Sequence, residues 1–173
     1  KFWNDKKDKK FKEAYFNRFS NTWHHGDFAE IKKTRGFVIH GRSDTTLNPG
    51  GVRLGTAEIY SEVEKFREIK ESIVVGQSWN NDVRIVLFIV MNGKFYPTED
   101  LLKKIKIQIR KNASPRHVPS KVIVVNDIPR TKSGKIVELA VKNTIEGNNI
   151  KNKEALANPK ALEQFKNLKE LSN

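Results

Sequence analysis

The pattern of apolar and polar positions along the chain predicts a small β-sheet and several helices. The longest apolar run, Val83 to Met91, is interrupted only by Arg84 and predicts a central strand. A β-branched run from Ile69 to Gln77 and a shorter one from Lys121 to Asn126 predict two more strands. The polar residues at 80–82 predict a turn between the first two of them.

Helical spacing of apolar residues alternates with these strands. Thr98 is a predicted N-cap for a helix that runs to about Asn112, and Thr56 for a shorter helix. A further short helix is predicted over 137–144, and a separate helix over 154–171 after a polar linker. The order strand, strand, helix, strand, helix predicts a small α+β domain in which helices pack on a three-stranded sheet.

The first third of the chain has a different pattern. A short helix or turn is predicted over 6–18, and two short strands over 22–31 and 36–40. The sequence Asn48-Pro49-Gly50-Gly51 is a strong turn signal and predicts a β-hairpin over 45–54.

Charge and composition narrow the possible functions. The 173 residues include 33 Lys and Arg against 20 Asp and Glu, a net charge of +13. Nucleic acid, small polyanions such as ATP and CoA, and simple solvation could each explain this excess. The lysines are spread along the chain and form no single stripe, which favours solvation or small polyanions over nucleic acid. Cysteine is absent, which excludes disulfides and thiolate chemistry, and no apolar run approaches the ~20 residues of a membrane span.

The loop Pro129-Arg130-Thr131-Lys132-Ser133-Gly134-Lys135 is the strongest candidate for chemistry. Gly134 allows a sharp bend, and Lys135 after it places an ammonium group on a flexible stem, suited to a carboxylate or a phosphate. An exposed basic turn without a ligand is the alternative interpretation.

Three more motifs precede this loop: Trp23-His24-His25-Gly26-Asp27, Gly41-Arg42-Ser43-Asp44, and the segment Asn48 to Ile59 with Gly51-Val52-Arg53. In their order and spacing, the four motifs resemble the C-terminal part of the adenylate-forming acyl-CoA synthetases, over about Trp3 to Lys142. Within that family, Phe2-Trp3-Asn4-Asp5 and Pro49 to Tyr60 resemble most the branch that activates acetoacetate, with the acetate-activating enzymes as close neighbours. The chain also lacks an initiating Met, and we expect it to be internal to a larger protein.

The resemblance implies a division of the chain. Residues 1–41 would be the end of a large N-terminal adenylation domain, 42–145 a mobile C-terminal domain, and 146–173 a linker and helix. Asp44 would be the hinge. The implied substrates are ATP, CoA and a short-chain carboxylic acid, and the implied partner is the large domain itself. Mg²⁺ is expected with ATP, but its ligands are not expected in this chain. A cytoplasmic location without membrane contact is expected, and the isolated piece is expected to be inactive.

The resemblance also assigns residues. Lys135 would be catalytic in adenylation. Asp27 and Arg42 would bind the ribose and phosphate of ATP or AMP, and Arg53 would contact the nucleotide and act in the thioester step. Simpler alternatives are a turn carboxylate for Asp27 and a surface ion pair for Arg42.

Two residues would bind CoA. Gly51 would line the passage of the pantetheine arm, and Arg110 would hold the 3′-phosphate. A hairpin turn and a cation at a helix C-terminus are the simpler explanations. His24 and His25 are adjacent and have no partners with metal-ligand spacing, so no metal site is predicted. The remaining alternatives are a basic nucleic-acid-binding module and an interaction module that docks through 154–171.

Overall fold

The computed structural model describes residues 2–150 and 153–173. The α-helices of these residues are α1 (Lys9–Phe16), α2 (Ala57–Val63), α3 (Glu99–Asn112) and α4 (Glu138–Ile145). The strands are β1 (Asp27–Ile31), β2 (Phe37–Arg42), β3 (Ile69–Trp79), β4 (Asp82–Met91) and β5 (Lys121–Val124). Short 3₁₀ segments lie at Lys6–Asp8, Pro49–Gly51, Pro115–His117, Lys153–Ala155, Pro159–Phe165 and Lys169–Leu171. Within the described residues, no helix has the length and apolarity needed to cross a membrane.

The predicted three-stranded sheet is confirmed. Its order is β3-β4-β5, with β3 antiparallel and β5 parallel to the central strand β4. The turn between β3 and β4 consists of Asn80 and Asn81, both with positive φ, 49° and 61°. Asparagine tolerates this conformation, which matches the right-handed twist of a two-residue hairpin.

Both faces of β4 are covered, which explains its nearly continuous apolar sequence. On one face Leu87 packs against buried residues of α2 and α3, such as Ile59 and Ile105. On the other face Phe88 packs against α4 and the C-terminal segment, where its ring meets Phe165 edge to face with centroids 4.9 Å apart. The sheet therefore separates two helical layers.

Helix α3 forms as its sequence predicts. The Thr98 hydroxyl accepts a hydrogen bond from the Leu101 amide, 3.2 Å away, and Leu101, Ile105 and Ile109 are buried on one face. Thr56 stands at the predicted N-cap position of α2 but does not cap it with its side chain. Its backbone is already helical (φ −76°, ψ −24°) and its side chain makes no capping bond to α2.

Residues 2–42 contain α1 and the β1–β2 hairpin. The predicted strands are confirmed with shifted bounds, since β1 begins only at Asp27 and β2 extends to Arg42. Asp27 is therefore the first residue of β1, whereas the strand was predicted to begin at residue 22. Apolar side chains remain exposed on this hairpin, including Ile31 (68%), Phe37 (70%) and Ile39 (56%).

The predicted C-terminal α-helix is wrong. Residues 153–171 form three short 3₁₀ segments, because Pro159 lacks an amide proton and the backbone is extended at Lys166 and Leu168. The apolar residues still reach the core: Leu156, Ala161, Leu162, Phe165 and Leu171 are buried. Of the predicted linker, residues 151 and 152 lie outside the described residues.

Candidate functional site

The predicted hinge residues lie together at the end of the β1–β2 hairpin. Asp27 is the register partner of Arg42, and the Arg42 guanidinium lies 3.6 Å from the Asp27 carboxylate and 3.4 Å from that of Asp44. One terminal nitrogen of Arg42 also donates to the His25 carbonyl, 2.9 Å away. One cation thus links two carboxylates across the proposed boundary. All three side chains are solvent-accessible, so a ligand could displace these contacts.

Gly26 allows this arrangement. Its φ is +90°, and a Cβ atom there would lie 2.5 Å from an Arg42 terminal nitrogen. The Gly26 carbonyl then accepts the Ser43 amide at 2.8 Å, which fixes the turn after β2. The conformation therefore favours glycine, and a side chain there would displace the Arg42 guanidinium.

The predicted hairpin over 45–54 is reduced to a minimal one. Leu47 and Leu54 exchange two backbone hydrogen bonds of 3.0 and 2.8 Å, and Pro49–Gly51 forms the turn. Gly51 has φ +78°, and a Cβ atom there would meet nothing within 4 Å. The turn is therefore open to solvent, and Arg53 is exposed on its returning arm.

Asp82 holds this turn from the start of β4. Its two carboxylate oxygens accept the Gly50 amide at 2.9 and 3.0 Å. Hydrogen bonds from the amides of Val83 and Gly50 lower the pKa of Asp82 below its usual value. Arg116 lies on the other side, with a terminal nitrogen 3.7 Å from the place of a Gly50 Cβ. A cation and a fixed carboxylate therefore flank the glycine turn.

The Lys135 loop is a tight hairpin between β5 and α4. Arg130 pairs with Ile136, the Thr131 amide donates to the Lys135 carbonyl (2.9 Å), and the Lys135 amide donates to the Thr131 hydroxyl (3.1 Å). Gly134 turns the chain with φ +82°. The Lys135 side chain is exposed and makes no hydrogen bond or ion pair with the described part of the chain. The loop thus presents a free ammonium group on a rigid backbone.

Arg110 lies elsewhere, in the last turn of α3, exposed beside Lys111. Helix α3 covers one face of the sheet, whereas the Lys135 loop leads into α4 on the opposite face. The structure thus brings Asp27, Arg42 and Asp44 together, and places Gly51 and Arg53 on one hairpin. Lys135 lies on a third segment, the loop between β5 and α4.

The chain is similar to known proteins along its whole length. Over 99% of the chain, it is 59% identical to acetoacetyl-coenzyme A synthetase of Rhizobium meliloti and 47% identical to acetoacetyl-CoA synthetase of Xenopus tropicalis. A solved acetoacetyl-CoA synthetase from Streptomyces lividans covers 100% of the chain with a TM-score of 0.89 and 36% identity. Residues 58–135 match the family model of the AMP-binding enzyme C-terminal domain. Residues 58–135 are therefore similar to the AMP-binding enzyme C-terminal domain.

The extent of each match matters for the site. The chain spans 26% of the length of these relatives and of the solved structure. The match to the AMP-binding C-terminal domain includes Arg110 and Lys135 and ends at the latter. Asp27, Arg42 and the Gly51 turn precede the segment that matches this domain, and the longer relatives cover them.

A buried polar cluster joins β2 to the AMP-binding C-terminal domain and was not predicted. The Glu58 carboxylate lies 3.0 Å from His40 and 3.9 Å from His117, while the Ser114 hydroxyl and His117 are 2.8 Å apart. The near oxygen of Glu58 and nitrogen of His117 are buried without a hydrogen-bond partner in the described chain. Burial lowers the pKa of His117, and the Glu58 charge opposes this shift in part.

Proposed function

We propose that this chain is the C-terminal quarter of an ATP-dependent ligase that joins acetoacetate to CoA. The acid carboxylate would attack the α-phosphorus of ATP and release pyrophosphate, and the CoA thiolate would then attack the acyl-adenylate and release AMP. The relatives named acetoacetyl-CoA synthetase, matched over nearly the whole chain, carry this proposal. They favour acetoacetate over acetate, and a ligase over a nucleic-acid or interaction module.

Lys135 is proposed as the catalytic cation of the first step. Its exposed ammonium group, on a hairpin with fixed backbone hydrogen bonds, suits a bridge between the acid carboxylate and the phosphate oxygens. Asp27 and Arg42 are proposed to hold the ribose and phosphate of the nucleotide, since both are accessible and already share charge. Arg53 would approach the nucleotide from the glycine turn.

The second step is proposed to use a different face of the mobile domain, residues 42–145. Gly51 would leave room for the pantetheine arm, and Arg110 would hold the 3′-phosphate of CoA. Gly51 and Arg110 belong to the side of the sheet that α2 and α3 cover, whereas the Lys135 loop leads into α4 on the other side, which favours a movement between the two steps. We propose that the mobile domain, residues 42–145, rotates about Asp44 between the two steps. Residues 1–41 would belong to the large domain, and residues 146–173 would follow the mobile domain as a linker and C-terminal segment.

The partner of the mobile domain is proposed to be a large domain of the same protein, which would supply the acid pocket and the Mg²⁺ ligands. The exposed side chains of Ile31, Phe37 and Ile39 favour this, since solvent-exposed apolar groups on a hairpin usually pack against a partner. Alone, the chain would bind the acid poorly and be inactive. A cytoplasmic location is part of the same proposal.

The variant K135A of the complete ligase tests the main assignment. Acetoacetate-dependent exchange of pyrophosphate into ATP should collapse, while thioester formation from supplied acetoacetyl-adenylate should largely persist. A variant of an exposed lysine with an ordinary partner, K104A, is the matched control, since Lys104 only pairs with Asp100 along α3. Equal loss of both steps in K135A would contradict the role assigned to Lys135.

A further inference from the structure

The C-terminal segment pairs with the Lys135 loop through an isolated antiparallel bridge. Thr131 and Leu156 form this bridge, in which the Lys132 amide donates to the Ala155 carbonyl (3.1 Å) and the Ala157 amide to the Arg130 carbonyl (2.8 Å). The arm 130–132 therefore lies between its own hairpin partner, which carries Lys135, and residues 155–157. Leu156 is buried in the core, so this pairing is anchored.

Asn158 continues this pairing through its side chain. Its amide oxygen accepts the Arg130 amide at 2.8 Å, and its amide nitrogen donates to the Ile128 carbonyl at 2.9 Å and the Asp127 carboxylate at 2.7 Å. A carboxamide presents the same donor and acceptor as a peptide unit, so Asn158 replaces a strand residue where the backbone turns into the Pro159 segment.

Arg130 ties the same arm to the sheet. One terminal nitrogen donates to the Gly134 carbonyl at 3.0 Å, inside the turn that precedes Lys135. The other lies 2.9 Å from the Glu71 carboxylate on β3. Asn158 therefore fixes the backbone of Arg130, and the Arg130 side chain in turn fixes the Gly134 turn before Lys135.

We propose that Asn158 is a positioning residue for Lys135, and that the segment 155–158 acts as a brace that fixes the Lys135 loop. The proposal depends on the proposed function of Lys135, because a brace matters only if the ammonium position matters. A displacement of about 1 Å can reduce an oriented reaction by on the order of 10²-fold. Loss of the brace should therefore affect adenylation far more than the thioester step, which does not use Lys135.

The test compares N158A with Q164A in the complete ligase. Gln164 is the matched control, since its side chain also bonds the backbone before the loop, at Asn126 (2.7 Å) and Asp127 (2.8 Å), but does not contact the Lys135 hairpin. We expect N158A to lower acetoacetate-dependent pyrophosphate exchange by about 10- to 100-fold with a small effect on the thioester step. Q164A should lower both steps in the same proportion, or neither. Equal effects of N158A on both steps would overturn the proposal.

A rescue separates positioning from general destabilisation. N158D places a carboxylate against that of Asp127, and should be worse than N158A. The double variant D127N/N158D exchanges amide and carboxylate. It removes the like-charge contact, restores one hydrogen bond between the two side chains and keeps an acceptor for the Arg130 amide, while the Ile128 carbonyl still lacks its donor, so it should recover part of the exchange activity. Failure of the double variant to exceed N158D would contradict the proposal.

Hydrogen exchange tests the brace without any chemistry. In N158A the amides of Thr131 and Lys132 should exchange faster, although both keep their own backbone acceptors. If only the Arg130 amide changed, the bond would be local and the brace refuted. K135A is measured in parallel. If it left adenylation intact, the proposed function would fail, while the exchange data on the loop would still decide whether the brace exists.

Discussion

Arg84 donates a buried hydrogen bond of 2.6 Å to the carbonyl of Leu171, 87 residues later in the chain. The same guanidinium bonds Gln77 (2.8 Å) and lies 3.8 Å from the centre of the Trp79 ring. The one charged residue within the apolar run of β4 is therefore the attachment point of the C-terminal segment. It holds in place the end of the segment that braces the Lys135 loop.

Replacing Arg84 should loosen this attachment. R84L removes the donor to the Asn173 carbonyl and the Gln77 oxygen and leaves the Leu171 carbonyl only a long bond of 3.5 Å from the Gln77 amide, so we expect a loss of about 1–3 kcal/mol in the free energy of unfolding. Urea denaturation measures it. The control R67A removes an exposed guanidinium that only faces the Phe95 ring, and should change stability by less than about 0.5 kcal/mol. Similar values for both variants would contradict the attachment.

Gly26 offers a test of the hinge geometry. G26A should be destabilised by its positive φ and by the contact with Arg42, and should displace the guanidinium from Asp27. The control G147A has a similar φ of +70° but meets nothing within 4 Å, so it isolates the conformational cost of about 1 kcal/mol. Only G26A should also weaken ATP binding, measured by calorimetry on the complete ligase. Equal ATP affinity in both variants would contradict a nucleotide role for Arg42.

His117 predicts how stability depends on pH. Its native pKa lies below the ordinary 6.5 because the ring is buried, so below pH 6.5 the unfolded chain binds its proton more readily than the native one. Its contribution is complete above pH 6.5 and is lost as the pH falls from there toward the native pKa. Glu58 and Ser114 face the ring, and Glu58, which also lies 3.0 Å from His40, limits the shift.

The variant H117Q checks this sign. Its urea midpoint should fall less steeply than the wild-type midpoint as the pH is lowered below 6.5. The control is H24Q, because the His24 ring packs on Phe19 and does not belong to the His117 cluster. This variant should keep the wild-type dependence of the urea midpoint on pH. An H117Q chain with the full wild-type slope would contradict the burial argument.

Local signals were enough to predict the sheet and α3. The nearly continuous apolar run of β4 is typical of a strand that is covered on both faces. Helix α3 has a capping residue, Thr98, and apolar residues at helical spacing on one face. The C-terminal segment was misjudged because its apolar spacing fits a helix, while its true backbone partners, such as Thr131, lie far away in sequence. The local sequence contains no signal for a backbone partner so distant in the chain. Lys135, Arg42 and Asp27 were found through the family resemblance, and the structure adds their geometry.

Asp82 was predicted only as a turn residue, and its contact with Gly50 spans 32 residues. It provides the last prediction. D82A frees the Gly50 amide, so the glycine turn should lose its fixed position. If the turn guides the pantetheine arm, thioester formation from supplied adenylate should fall, with a higher KM for CoA, while pyrophosphate exchange changes little. The variant D82N keeps one acceptor oxygen and should be intermediate. D100N, at an exposed carboxylate on α3, should match the wild type in both steps. D82A removes the only side-chain acceptor that the Gly50 amide has within the described chain. An unchanged KM for CoA in this variant would therefore show that the Gly50–Gly51 turn does not contact the thiol substrate.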